Sequence, residues 1–144
     1  MASQAELVKA LLSELALDVK SYQQLARQLQ HQETLLVNRD SQALLTHNAQ
    51  LQQLMKQLGD HAQRRCEYLE SLGVSADDTG MKRLLAALPA QYQQQGNVLW
   101  QQLYELTLQC QERNNCNGRL LAQQKQMIDK LLKPEQQYCY SPGC

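Results

Sequence analysis

Leucines recur at three- and four-residue steps along most of this chain, and only a helix gathers such positions on one side. The first seam runs Leu7, Leu11, Leu15, Asp18, Tyr22, Leu25, Leu29 and Leu36, with Val8, Leu12 and Val19 widening the stripe. Material for strands is scarce: Leu and Gln supply 52 of the 144 residues, Val, Ile and Thr together ten, and Phe none. The pattern therefore predicts a heptad-like helix over residues 4–37. Ser3 with Glu6 three positions later has the form of a capping box at its start.

Asp40 is placed to cap a second helix over residues 41–72, whose seam is Leu44, Leu51, Leu54, Met55, Leu58, Ala62, Leu69 and Leu72. Gly73 suits a left-handed stop. Two helices of similar length joined by so short a turn form an antiparallel hairpin. Residues 74–80, with Asp77, Asp78, Thr79 and Gly80, read as a polar loop. A short helix over 80–88 follows, and Pro89 suits the first turn of a last helix over 90–133. That helix would span roughly 65 Å, long enough for part of it to project. The expected fold is all-α: an antiparallel helical hairpin, a short helix and a long C-terminal helix forming a three-helix, coiled-coil-like bundle over 1–133, with a flexible tail at 134–144.

Leu99, Trp100, Leu103, Leu106 and Cys110 form the core face of the last helix. Asn114, Asn117 and Gly118 then interrupt the seam before it resumes at Leu120, Leu121, Met127, Ile128, Leu131 and Leu132. Two apolar half-seams joined by a polar hinge imply a helix whose ends pack against different things. Gly96 and Gly118 each weaken it by about 1 kcal/mol relative to alanine. The distal half is thus a candidate binding surface, and Asn114, Asn117 and Gly118 a candidate hinge or register device, since a polar residue on a seam fixes register at some loss of stability. The competing readings are a stripe covered by the first two helices and simple fraying.

Chemistry is sparse. Net charge is zero with both signs interspersed, so no cationic patch calls for nucleic acid or an anionic membrane. The first residues lack a secretory pattern, and no apolar run is long enough to span a membrane, so neither export nor membrane insertion is expected and the chain reads as cytoplasmic. Five cysteines, Cys66, Cys110, Cys116, Cys139 and Cys144, fit free thiols, the last two leaving room for redox linkage or metal capture. His31, His47 and His61 lack the Glu-x-x-His pairing of di-metal bundles. His47 and His61, fourteen positions apart on one face, read as solvated flank residues, with a pH-sensitive or metal-binding pair as the alternative. Glu33 and Asp40 suit capping or surface pairing, with docking of a partner as the alternative. Without a Cys-x-x-Cys, a Gly-rich phosphate loop or a Gly-x-Ser-x-Gly elbow, no catalytic residue, metal site or cofactor is expected.

The arrangement resembles the FlgN-type flagellar export chaperones. The likeness rests on Leu25-x-x-x-Leu29-x-x-x-Glu33-x-x-Leu36 before Arg39-Asp40, the Arg64-Arg65 region before Leu72-Gly73, and Trp100 ahead of Leu103. It rests above all on Asn114-x-x-Asn117-Gly118-x-Leu120-Leu121, followed by Leu131-Leu132 and the Tyr140 to Gly143 tail. The resemblance implies a cytoplasmic chaperone of the flagellar type III export system. Such a protein holds helical segments near the C-termini of hook–filament junction proteins of the FlgK and FlgL type and hands them to the export apparatus. Asn114, Asn117, Gly118, Leu120, Leu121, Gln124, Met127, Ile128, Leu131 and Leu132 would then form the capture surface. Two other readings remain: a structural coiled-coil protein that self-associates through the same stripe, and a bundle metalloprotein or thiol sensor using His47, His61 or the tail cysteines.

Overall fold

The computed structural model describes residues 3–132, and all of its regular structure is helical. Helix α1 covers Gln4–Val37, α2 Ser41–Ser71, α3 Asp78–Ala86 and α4 Ala90–Leu132. Each start has a local cause. Ser3 Oγ accepts from the Glu6 amide at 3.2 Å while the Glu6 carboxylate accepts from the Ser3 amide at 3.1 Å, completing the capping box. Asp40 accepts from the Ala43 amide at 3.1 Å and opens α2. Asp77 accepts from the Gly80 amide at 2.8 Å and from the Ser75 hydroxyl at 2.7 Å, so α3 begins at Asp78. The expected polar loop therefore gives up Asp78, Thr79 and Gly80 to the helix, because Asp77 satisfies an amide that a turn would otherwise have to cover.

The ends are equally local. Gly73 adopts φ +81° after α2, as its position suggested. Between α1 and α2 the left-handed residue is Arg39, at φ +55°. Pro89 contributes its carbonyl, which accepts from the Tyr92 and Gln93 amides at 3.0 and 2.9 Å as α4 begins.

Helix α1 is the axis of the bundle: α2 and α4 both pack along it, and α3 lies against α4. The core is divided. One cluster joins Leu11, Leu12, Leu15 and Val19 of α1 to Leu69, to Met81, Leu84 and Leu85 of α3, and to Leu103. The other joins Leu25 and Leu29 to Leu51, Leu54, Leu58 and Cys110. Met55, placed on the seam by spacing, is largely exposed, and Leu54 takes the core position. Gly96 is buried because α4 crosses α1 and α3 closely there: a Cβ at this position would collide with Leu85 and press on Leu12.

A polar cluster lies beside the first apolar one. Asp18 is 1% exposed, and its carboxylate accepts from His61 Nδ1 at 2.8 Å and from Arg65 Nη1 at 2.6 Å. The Arg65 guanidinium lies 5.8 Å from the centre of the Trp100 ring, whose indole N–H donates to Asp78 at 2.7 Å. Trp100 is thus half-buried and polar at its tip rather than a plain core residue.

Candidate functional site at the distal end of α4

A second polar layer lies beyond the Cys110 cluster and fixes where α4 sits. Asn117 is buried, and its amide donates to the Leu29 carbonyl at 2.8 Å and to Gln32 Oε1 at 2.9 Å. Gln32 in turn donates to Asn48 at 2.8 Å, so one chain of hydrogen bonds ties α4 to α1 and α1 to α2. A bond from a seam residue to one particular carbonyl is satisfied in one register only. Of the three residues read as a hinge or register device, Asn117 is the one so bonded.

The hinge is not there. Helix α4 runs unbroken through Asn114, Asn117 and Gly118. Asn114 is exposed, and Gly118 faces open space with nothing within 4 Å of where a Cβ would stand. The polar interruption of the seam does not break the helix, because glycine and asparagine only lower helix propensity, by roughly 1 kcal/mol or less each, which the packing of Cys110 and Asn117 on α1 offsets.

Past Gly118 the helix leaves the core. Leu120 is half-buried, and Gln124 donates to the Leu36 carbonyl at 2.6 Å. The other apolar residues face outward: Leu121 is 56% exposed, Met127 52%, Ile128 51%, Leu131 76% and Leu132 73%. Residues singled out as one stripe therefore divide by role. Asn117 and Gln124 hold α4 to α1 and Leu120 is half-buried, whereas Leu121, Met127, Ile128, Leu131 and Leu132 form a ridge. At its root, a cavity of about 400 Å³ opens against the α1–α2 turn, with aliphatic walls from Leu36, Leu44, Leu121 and Ile128. Arg39 stands at the cavity, its Nη2 donating to the Met127 thioether at 3.5 Å. Val37 and Leu45, near the same turn in sequence, are also exposed.

The histidines differ from expectation. His47 is buried, with Nε2 2.7 Å from the Gln28 carbonyl, and His61 is held by Asp18; neither is a solvated flank residue. Only His31 is exposed, its ring edge-on to His47 at 5.0 Å. Asp18 on an apolar seam signals that some buried partner exists, without saying which. Among the described residues, Glu14, Asp18 and His61 bring donor atoms within 4.8 Å of one another. Arg65 and His61 already engage both Asp18 oxygens and Arg64 lies 3.6 Å from Glu14, so the grouping has the chemistry of an ion-pair cluster. Glu33 pairs with Arg113 at 3.7 Å, beside a polar cavity of about 520 Å³ between α1 and α4. Cys66, Cys110 and Cys116 are free thiols, with burial raising the pKa of Cys110. Cys139, Cys144 and the expected tail fall outside the described residues.

No described helix is long and apolar enough to cross a membrane. Comparison with known proteins gives the affiliation. The pattern that defines the FlgN family, described as FlgN protein, matches residues 1–137. The chain belongs to the FlgN family. The FlgN fold is also found in a crystal structure described as a flagella synthesis protein FlgN from Pseudomonas aeruginosa, to which this chain is 29% identical. The superposition has a TM-score of 0.70 and covers 78% of this chain and 86% of that one. No curated protein sequence matches. As a FlgN protein the chain is flagellum-related.

Proposed function

We propose that this FlgN protein is a cytoplasmic, substrate-specific chaperone of the flagellar type III export system. Its cargo would be the C-terminal helical segments of hook–filament junction proteins of the FlgK and FlgL type, kept from premature assembly and passed to the export apparatus. One observation carries the reading: five large apolar side chains on the distal α4 are left half-exposed or more by their own chain.

A segment that will assemble by helix packing must expose an apolar stripe while it waits. Laying that stripe along Leu121, Met127, Ile128, Leu131 and Leu132, with an anchor in the cavity beside Leu36 and Leu44, removes both surfaces from water in a helix-in-groove mode. At about 25 cal/mol per Å² the gross gain is on the order of 10 kcal/mol. Ordering both partners consumes much of it, leaving the reversible affinity that a carrier needs.

The test is capture of a purified FlgK- or FlgL-type protein by the full chain and by its Leu121→Asp and Ile128→Asp variants. Both variants are expected to lose the cargo while keeping the helix content and melting temperature of the parent. Retained binding in both variants would defeat the proposal. A tight homodimer that the variants abolish, with no cargo held by the parent, would assign the ridge to self-association instead.

A further inference from the structure

The cavity at the root of the ridge carries charge as well as apolar surface, and we infer that its occupant is an amphipathic helix presenting carboxylates about one turn from its apolar stripe. This rests on the reading of the ridge as a helix-capture surface and specifies which helix it takes. Arg39 and Lys125 line the cavity together with its four aliphatic walls, and no carboxylate does.

Those cations are uncompensated. Arg64, Arg65, Lys82 and Arg113 each have a carboxylate within 4.0 Å. Among the described residues neither Arg39 nor Lys125 has one, and Arg39 reaches only the Met127 sulfur. The carboxylate next to Arg39 in sequence, that of Asp40, accepts from the Ala43 amide, where it caps α2. A chain of zero net charge thus gathers a local positive excess around its most exposed apolar surface.

The backbone at Arg39 is a second observation. It holds φ +55°, the one left-handed non-glycine among the described residues, through bonds of 3.1 Å from its amide to the Leu36 carbonyl and from the Ser41 amide to its own carbonyl. Glycine or asparagine would adopt this conformation with less strain. Arginine there places a guanidinium against the cavity, which the turn itself does not need.

Charge complementarity then selects among occupants. An apolar side chain seated in the cavity expels water from its rim, where a carboxylate within reach of Arg39 or Lys125 gains a partly desolvated partner. A second copy docked by a two-fold axis would instead bring two surfaces of the same positive charge together, and charge disfavours that pairing.

The test uses the full chain and two fluorescent synthetic helices with one leucine stripe, bordered by Glu in one and by Lys in the other. The Glu-bordered helix is expected to bind about ten-fold tighter at low ionic strength, and the gap should narrow in about 0.5 M salt as the charges are screened. Lys125→Glu should shrink the preference and Arg39→Glu with Lys125→Glu reverse it; both positions are exposed. Equal affinities, no binding of the Glu-bordered helix, a preference unmoved by the double variant, or a salt-insensitive dimer of the parent would overturn the inference. If a FlgK- or FlgL-type segment binds while the two helices are not distinguished, only the charge inference fails. If the Glu preference holds while no junction segment binds, only the cargo assignment fails.

Discussion

Asp18 shows what a single side chain can impose on this bundle. It sits on the apolar seam of α1, buried, between His61 and Arg65, whose side chains are themselves only 13% and 16% exposed. Removing one member of such a cluster strands the charge of another in a poor solvent. Asp18→Ala is therefore expected to lower the unfolding free energy by roughly 3 kcal/mol, measured by urea denaturation; a loss below about 1 kcal/mol would mean that the cluster behaves as an exposed ion pair. At this scale the sequence was only partly informative. Spacing placed Asp18 on the seam but gave no means of choosing its partners, because His61 and Arg65 are 43 and 47 residues away. His47 was misjudged for the same reason: a polar residue between seam positions reads as solvated until a carbonyl, here that of Gln28, is shown to meet it.

The starts of α1 and α2 were legible because each depends on a few adjacent residues, Ser3 with Glu6 and Asp40. The two glycines within α4 were not, since equal propensity conceals opposite surroundings. Gly96→Ala drives a methyl into Leu85 and Leu12, and this overpacking, about 1–3 kcal/mol, outweighs the helix propensity gained, about 1 kcal/mol. Gly118→Ala meets open space on a continuous helix and should stabilise by up to about 1 kcal/mol. Melting temperatures moving in opposite directions would confirm the pair, whereas a loss at Gly118 would restore the hinge. The start of α3 titrates. Bonds from the Gly80 amide and then Ser75 hold Asp77 below the usual aspartate value, and the Trp100 indole and then Lys82 do so for Asp78. A depressed folded-state pKa contributes stability above the unfolded value near 3.8, and that contribution is lost as pH falls through the folded value. Fluorescence of Trp100, the one tryptophan, should therefore change below pH 3.8, and Asp78→Asn should flatten that limb of the curve. An unchanged acid limb in the variant would remove Asp78 from the cause.

For the molecule as a whole, the division of labour along α4 matters more than its length. Periodicity shows that a stripe exists but not which neighbour covers it, so the exposure of the distal leucines was legible only as one of two outcomes. The structure decides it through α1, which ends at Val37 while α4 continues to Leu132. Among the described residues, the last hydrogen bond from α4 to the α1 backbone is that of Gln124 to Leu36. Residues after Gln124 that face solvent contribute little to the fold, since exposed apolar atoms gain nothing from their own chain. Ending the protein after Gln124 is accordingly expected to change unfolding free energy by less than about 1 kcal/mol, because Leu36, Leu120 and the Asn117 layer all remain. The same truncation removes Met127, Ile128, Leu131 and Leu132 and should abolish cargo capture. A cooperative loss of the bundle would instead show that the distal segment belongs to the core, and a truncated protein that still held its cargo would move the capture surface elsewhere on the bundle.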